Sequence, residues 1–334
     1  MSGPRLTVDD VHGVFAIMPT PALPGADDPE ASGPAADTVD HAETARAVGA
    51  LIDDGVDAIL TTGTFGECAT LTWLELRGFA ETAVTAAAGR VPVFAGATTL
   101  NTRDTIDRAR ALRDLGVTGL LLGRPMWCYL DDADIVAFYA AVARAVPELA
   151  IIVYDNPEAF KGKISSAAYR QLAALPQVIA AKYPTLGPSL ADDLAAMDGR
   201  MRILPVDRDW FPAWEQAPAE ITACWSGSAS CGPRPHTELA RRIAAGDAAG
   251  AGALSAEFTA AGAGFLPQGQ FALFARYNIQ LEKIRINEAG YISAGPPRPP
   301  YLSCPPEYAD GARASGRRFA ALDAAYRSRA GARP

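Results

Sequence analysis

The sequence predicts an α/β protein, a (β/α)8 TIM barrel with a C-terminal helical appendage, and three observations carry that expectation. Short Val/Ile/Leu-rich runs alternate with longer amphipathic segments eight times within about 235 residues. The runs are apolar throughout, as strands of a parallel sheet covered by helices are. Eight units exceed what an open doubly wound sheet usually holds, and the glycines do not form its phosphate-binding fingerprint.

In order, residues 13–21 (GVFAIMPTP) form the first expected strand and 38–55 the first helix, with Val39, Ala42, Ala45, Val48 and Ile52 among its apolar positions. Strands at 57–63, 91–98 and 119–125 follow, and the helices between them, 72–89 and 101–116, each close on a glycine. Helix 131–146, strand 149–157, helix 165–175 and strand 178–184 come next. Helix 188–197, strand 202–206, helix 210–217, strand 221–226 and helix 237–245 complete the series. Residues 10–247 are therefore the expected barrel and 248–334 an extension packed on it, with helices at 248–265, 269–287 and 307–330. Segment 295–306 (GPPRPPYLSCPP) is too rich in proline for a helix or an inner strand.

A net charge of −8 argues against a nucleic-acid surface but leaves room for a small anionic substrate, which needs only a local positive pocket. No run of eighteen apolar residues is present and residues 1–10 lack a charged-then-apolar leader, so no membrane association and a cytoplasmic location are expected. Cys68, Cys128, Cys224, Cys231 and Cys304 are scattered and odd in number, as reduced structural thiols are. His12 precedes the first strand, while His41 and His236 fall at helix starts, so no metal site is expected at the strand ends.

The chemistry centres on Lys182, which ends the apolar run Val178-Ile179-Ala180-Ala181. A buried ammonium is costly, and desolvation lowers its pKa until the free amine is a nucleophile toward carbonyl carbon. The competing reading has Lys182 one residue past a strand end, snorkelling into solvent. Active sites in this barrel gather at the C-terminal strand ends, so the residues there decide between the two. After the second strand comes Gly63-Thr64-Phe65-Gly66-Glu67, whose backbone N–H groups suit a carboxylate. The fifth strand ends in Tyr154-Asp155-Asn156-Pro157, which sets a phenol on the rim.

Together these residues make the chain resemble the pyruvate-dependent class I aldolases of the dihydrodipicolinate synthase and N-acetylneuraminate lyase superfamily, over roughly residues 10–290. That family's Gly-Thr/Ser-Thr-Gly-Glu turn stands here as Gly63 to Glu67, its strand-five tyrosine as Tyr154 and its Schiff-base lysine as Lys182, in matching order and spacing. Three departures narrow the branch. No arginine follows Tyr154-Asp155-Asn156-Pro157-Glu158-Ala159-Phe160, which disfavours a charged aliphatic acceptor. Phe65 replaces a threonine of the family's proton relay, and Trp127 takes the place of an aromatic near the site mouth. More aromatic surface suggests an aromatic substrate. With Tyr277-Asn278-Ile279 and Gly290-Tyr291 near the C-terminus, the chain looks like the benzylidenepyruvate hydratase-aldolases of polycyclic-aromatic degradation, which act on an aryl ring bearing an ortho carboxylate or hydroxyl.

The resemblance implies that Lys182 forms the Schiff base, that Tyr154 moves protons, and that Thr64 with the Gly63 and Gly66 amides holds the pyruvate carboxylate. Phe65 and Trp127 would line the site, and Asn156 and Asn278 would contact water or the ring substituent. It also implies a homotetramer and no cofactor beyond the covalent imine on Lys182. A ring carboxylate would want a cation, for which Arg124, Lys161 and Lys163 are candidates. The expected substrate leans toward trans-2'-carboxybenzalpyruvate; the 2'-hydroxy compound, or a sugar-acid or amino-acid pyruvate lyase reaction, stands behind it. A barrel that binds ligands without catalysis is the reading from another class, and it has no need of Tyr154 and Lys182 together.

Overall fold

Eight short apolar segments form the strands: β1 (Gly13–Ile17), β2 (Ala58–Leu60), β3 (Val93–Gly96), β4 (Gly119–Leu122), β5 (Ala150–Tyr154), β6 (Val178–Lys182), β7 (Arg202–Leu204) and β8 (Ala223–Ser226). They belong to a computed structural model that describes residues 5–30, 37–183 and 186–331. Residues 1–4, on which part of the leader-peptide expectation rests, and Pro184, expected to end the Lys182 strand, lie outside the described residues. All strand pairs are parallel, in the order β7-β6-β5-β4-β3-β2-β1-β8. The ring closes through one parallel bridge, Val206 to Trp225, where the Trp225 N–H donates to the Pro205 carbonyl at 2.9 Å. This is the (β/α)8 barrel that the unbroken apolar runs predict. The strands are shorter than expected because their polar last residues, 61–63 and 155–157 among them, leave the ladder and become the loops of the C-terminal face.

The outer helices are α1 (His41–Asp53), α2 (Trp73–Ala87), α3 (Thr102–Asp114), α4 (Asp132–Ala145), α5 (Ser166–Leu172), α6 (Leu190–Met197), α7 (Asp207–Gln216) and α8 (Arg234–Ala244). Asp40, Thr72, Asn101, Asp131 and Ser165 cap five of them by accepting the N–H three residues on, which fixes where each loop stops. α7 and α8 begin earlier than the apolar pattern suggested; Pro235 sits in the first turn of α8, where its missing N–H leaves no bond unmade.

Beyond the barrel lie α9 (Ala248–Ala261), α10 (Phe271–Ala275), α11 (Asn278–Ala289) and α12 (Pro306–Gly331). The single helix expected over 269–287 is thus two, broken at Tyr277, whose backbone lies at φ −130°, ψ 25°. The apolar residues on either side meet in one satellite core, Phe274 before the break and Leu281 after it, and only the far end of α11 leaves that core. Phe274 packs at a tilt on Phe265 in the satellite core, whereas Ile286 joins the main core shared with the strands. The break makes Asn278 the first residue of α11 and turns that end toward the barrel mouth.

The Pro-rich segment, which has few N–H groups for a ladder, is held by charge. Glu67, wholly buried, pairs with Lys283 of α11 at 2.7 Å and with the Arg298 guanidinium. Arg298 also donates its backbone N–H to Glu67 Oε1 at 2.8 Å and its side chain to Thr38 Oγ1 at 2.7 Å, and Lys283 donates to the Pro296 carbonyl at 2.7 Å. A carboxylate at the foot of the glycine turn thereby holds the C-terminal segment to the barrel. No helix among the described residues is long and apolar enough to cross a membrane.

Candidate active site

Tyr154 and Lys182 end adjacent parallel strands and are direct Cα partners in the β5–β6 register. In-register residues of a parallel pair point to the same face, so both side chains enter the barrel mouth together. The Lys182 Nζ lies 3.4 Å from the centre of the Trp225 ring and 4.5 Å from that of Tyr154. Trp225, at the end of β8, is locked by its Nε1–H donating to the Tyr183 carbonyl at 2.9 Å. Burial pulls the Lys182 pKa down to about 7, against the opposing charges of Glu282 and Asp155. Near neutral pH the lysine therefore supplies free amine, a nucleophile that an exposed lysine almost never offers.

The Tyr154 hydroxyl lies 2.7 Å from Thr64 Oγ1 and accepts from Asn156 Nδ2 at 3.2 Å. Burial pushes the phenol pKa up, against these two hydrogen bonds, so it stays protonated and able to donate. The turn that supplies Thr64 is held between two non-glycine residues with left-handed backbones, Thr62 at φ 49° and Glu67 at φ 61°. Within it Gly66 is obligatory, since a Cβ there would sit 2.8 Å from the Thr62 nitrogen; at Gly63 a Cβ would make only ordinary contacts with Leu121 and Tyr154.

One pocket is walled by Gly63, Thr64, Phe65, Tyr154, Asn156, Lys182 and Asn278. Gly66 stands behind that wall, its carbonyl accepting from the Thr20 hydroxyl at 2.8 Å. Trp127 does not reach it. Its loop leaves the indole 74% exposed, and its carbonyl accepts from Lys161 Nζ at 2.7 Å. Phe271 and Phe274 of α10 supply aromatic wall instead. The three cations expected for a ring carboxylate are also committed elsewhere. Arg124 is buried against Asp155 at 3.2 Å, Lys161 holds the Trp127 carbonyl, and Lys163 pairs with Asp193 at 2.6 Å.

Several pocket residues escaped the sequence reading. Trp225 obeys the same strand-end rule as Lys182 and was findable by it. Glu282 and Arg285 of α11 were visible only as charges interrupting an apolar helix, with nothing local to say what they face. Asp207, also on the wall, accepts from Ser226 Oγ at 2.6 Å, from Ser228 Oγ, and lies 3.3 Å from His236 Nε2. Burial raises its carboxyl, but the bonds to His236, Ser226 and Ser228 win and hold it well below the usual range. Among the described residues no group of three or more His, Cys, Asp or Glu side chains could hold a metal ion. Burial pushes the Cys231 thiol up to about 12 and Cys68 up to about 11, the opposite of a reactive thiolate.

Residues 32–197 match the dihydrodipicolinate synthetase family. Over 98% of both chains the protein is 46% identical to a trans-2'-carboxybenzalpyruvate hydratase-aldolase of Nocardioides sp. (strain KP7). It is 45% identical to a trans-O-hydroxybenzylidenepyruvate hydratase-aldolase of Pseudomonas aeruginosa, over 98% of this chain and 97% of the other. Among solved structures, PhdJ bound to a substrate intermediate superposes with a TM-score of 0.94 at 50% identity, covering 97% of this chain and 100% of that one.

Proposed function

The chain belongs to the dihydrodipicolinate synthetase family and is a lyase of the hydratase-aldolase kind, and we propose that it converts trans-2'-carboxybenzalpyruvate to 2-carboxybenzaldehyde and pyruvate. The observation that carries the reading is the pairing of a desolvated lysine with a buried, hydrogen-bonded tyrosine at neighbouring strand ends.

In the proposed sequence the Lys182 amine attacks the C2 ketone, and loss of water gives an iminium conjugated with the C3–C4 double bond. Water adds its oxygen at C4 while C3 takes a proton. Removal of the C4 hydroxyl proton then breaks C3–C4, sending the electron pair into an enamine and releasing the aldehyde. Protonation of the enamine at C3 and hydrolysis of the imine return pyruvate and the free amine. Tyr154, with Thr64 and Asn156 on its oxygen, is the proton carrier for these steps. Thr64 and the amides of the Gly63–Gly66 turn hold the pyruvate carboxylate, which keeps the reacting carbons aligned. Asn156 and Asn278 serve the water or the ring substituent, and Phe65 packs the ring. The iminium is itself the electron sink, so the proposed chemistry calls for no organic cofactor or metal.

The 2'-hydroxy substrate is the second reading, supported by the similarity to the Pseudomonas aeruginosa enzyme that bears its name. We place the activity in the cytoplasm and in a homotetramer, for which the exposed Trp73, Leu74, Leu100, Trp127 and Tyr129 offer contact surface.

Borohydride reduction in the presence of pyruvate, read by peptide mass spectrometry, should leave a pyruvate-derived adduct on Lys182. Incubation of pyruvate with 2-carboxybenzaldehyde and with salicylaldehyde then identifies the acceptor. A folded protein that traps nothing is the ligand-binding barrel and not the aldolase.

A further inference from the structure

Thr62 at φ 49° and Glu67 at φ 61° bound the glycine turn in a left-handed conformation that non-glycine residues hold only where their surroundings over-determine it. The surroundings do so from two directions. At one end the barrel holds Thr62, whose Oγ1 accepts from the Gly96 N–H at 2.6 Å. At the other end the grip comes from Arg298, in the Pro-rich segment, 231 residues beyond Glu67. Arg298 is buried, and all five N–H groups of its guanidinium are engaged. Nη1 donates to Glu67 Oε2 and to the Thr20 carbonyl at 3.3 Å, Nη2 to the carbonyls of Pro21 at 3.2 Å and Thr38 at 3.0 Å, and Nε to Thr38 Oγ1. Thr20 in turn donates its hydroxyl to the Gly66 carbonyl. One side chain thus grips the turn twice, through the Glu67 carboxylate and through Thr20. The segment itself is fastened without the guanidinium: Asn287 exchanges two hydrogen bonds with Gly295, at 3.0 and 3.1 Å, and Lys283 holds the Pro296 carbonyl.

Resting on the hydratase-aldolase reading, we propose that Arg298 is a positioning residue for pyruvate: through Glu67 and Thr20 it holds the Gly63–Gly66 turn in the conformation that receives the substrate carboxylate. Arg298 lies behind the pocket wall and acts only through the turn. The planar fork suits the task because it reaches Glu67, Thr20, Pro21 and Thr38 at once, whereas a lysine ammonium has three donors and keeps only part of the set. Without Arg298 the Glu67 carboxylate still has Lys283 at 2.7 Å, so the turn is loosened and not left with an unpaired buried charge. Saturating pyruvate re-forms the loosened turn, which places the effect on the affinity for pyruvate and not on the chemical steps. The coupling is reciprocal: if the grip of Arg298 raises the affinity for pyruvate, bound pyruvate tightens the grip by the same factor.

The test compares the full-length wild type with Arg298→Met and Arg298→Lys. In Arg298→Met the pyruvate concentration that half-saturates borohydride trapping on Lys182, and the KM for pyruvate in aldol condensation, should rise roughly 10- to 150-fold, the loss expected for a charge-assisted hydrogen bond. At saturating pyruvate, kcat and the KM for the aldehyde should stay near the wild-type values, and Arg298→Lys should lie between the two proteins. A merely structural part for Arg298 would lower the trappable fraction at saturating pyruvate and leave the KM for pyruvate alone; that result overturns the proposal. In the wild type alone, amide exchange read by mass spectrometry should slow on pyruvate binding in the peptide that spans Arg298, whose backbone N–H is bonded to Glu67 Oε1, while the outer helices α3 and α4 exchange as before. No change there, or equal slowing throughout the chain, overturns the proposal even where the variants do not fold. Failure of the wild type to trap pyruvate sinks the aldolase reading itself and is distinguishable from both.

Discussion

Replacing Lys182 by methionine should abolish the reaction and make the protein more stable, by an amount that depends on pH. The lysine is held at a pKa of about 7, against an ordinary value of 10.5. Below pH 7 the folded protein carries a buried ammonium at a cost of roughly 5 kcal/mol, since each tenfold loss of proton affinity is worth about 1.36 kcal/mol. That cost is net of whatever the faces of Trp225 and Tyr154 return to the ammonium, and with an allowance for repacking around the thioether it sets the expected gain for the variant at roughly 3–5 kcal/mol. Between about pH 7 and 10.5 the unfolded chain binds the proton and the folded one does not, so wild-type stability rises with pH and the variant's advantage shrinks. For 334 residues the entropy of unfolding is about 0.7 kcal/mol/K, so the gain at pH 6 corresponds to a Tm higher by roughly 4–7 °C. The assay is thermal unfolding of both proteins at pH 6, 8 and 9.5 at one protomer concentration. A variant less stable than wild type at pH 6, or a difference that does not move with pH, would refute the claim that this lysine is desolvated and unpaired.

Tyr154→Phe removes the oxygen shared with Thr64 and Asn156 while keeping the ring; kcat should drop by roughly 10²- to 10⁴-fold, with the Lys182 adduct still trappable, as single-turnover kinetics will show. Glu67→Gln leaves Lys283, already lowered to about 8 by burial, and Arg298 without their shared carboxylate; a loss of roughly 3–5 kcal/mol in urea unfolding is expected, with proteolysis starting in the 295–306 segment. Gly66→Ala forces a Cβ against the Thr62 nitrogen and should raise the KM for pyruvate at least tenfold in the condensation assay, because the displaced turn is the one proposed to hold its carboxylate.

Much of the framework follows from local pattern. The strands are buried on both faces, so they read as unbroken apolar runs, and the polar residues that follow β2 and end β5 and β6 mark the C-terminal face before any contact is known. Lys182 and Tyr154 were legible for that reason: a charge or a phenol at the end of an apolar strand breaks the pattern at the place where a barrel gathers its chemistry. Partner choice was not legible. Trp127 and Phe65 are both aromatics on strand-end loops, yet one is 74% exposed and the other 6%, because loop direction is set by what packs beneath it. The non-helical backbone at Tyr277, which presents Asn278 and Arg285 to the pocket, interrupts a stretch that is apolar on both sides and so reads as one helix.

By itself the sequence determined the barrel, the placing of Tyr154 and Lys182 at the ends of the fifth and sixth strands, and the turn that carries Thr64. Each depends on residues within one element or on neighbouring strands whose order the alternation already dictates. Only the tertiary structure decided that Trp225 covers the lysine, that Glu67 receives Lys283 and Arg298 from more than 200 residues away, and that Arg285 meets the pocket with its Nε unpaired. Periodicity records which side of a helix avoids water; it carries no record of which surface that side will meet, and the desolvation that makes an amine or a guanidinium useful comes entirely from that meeting.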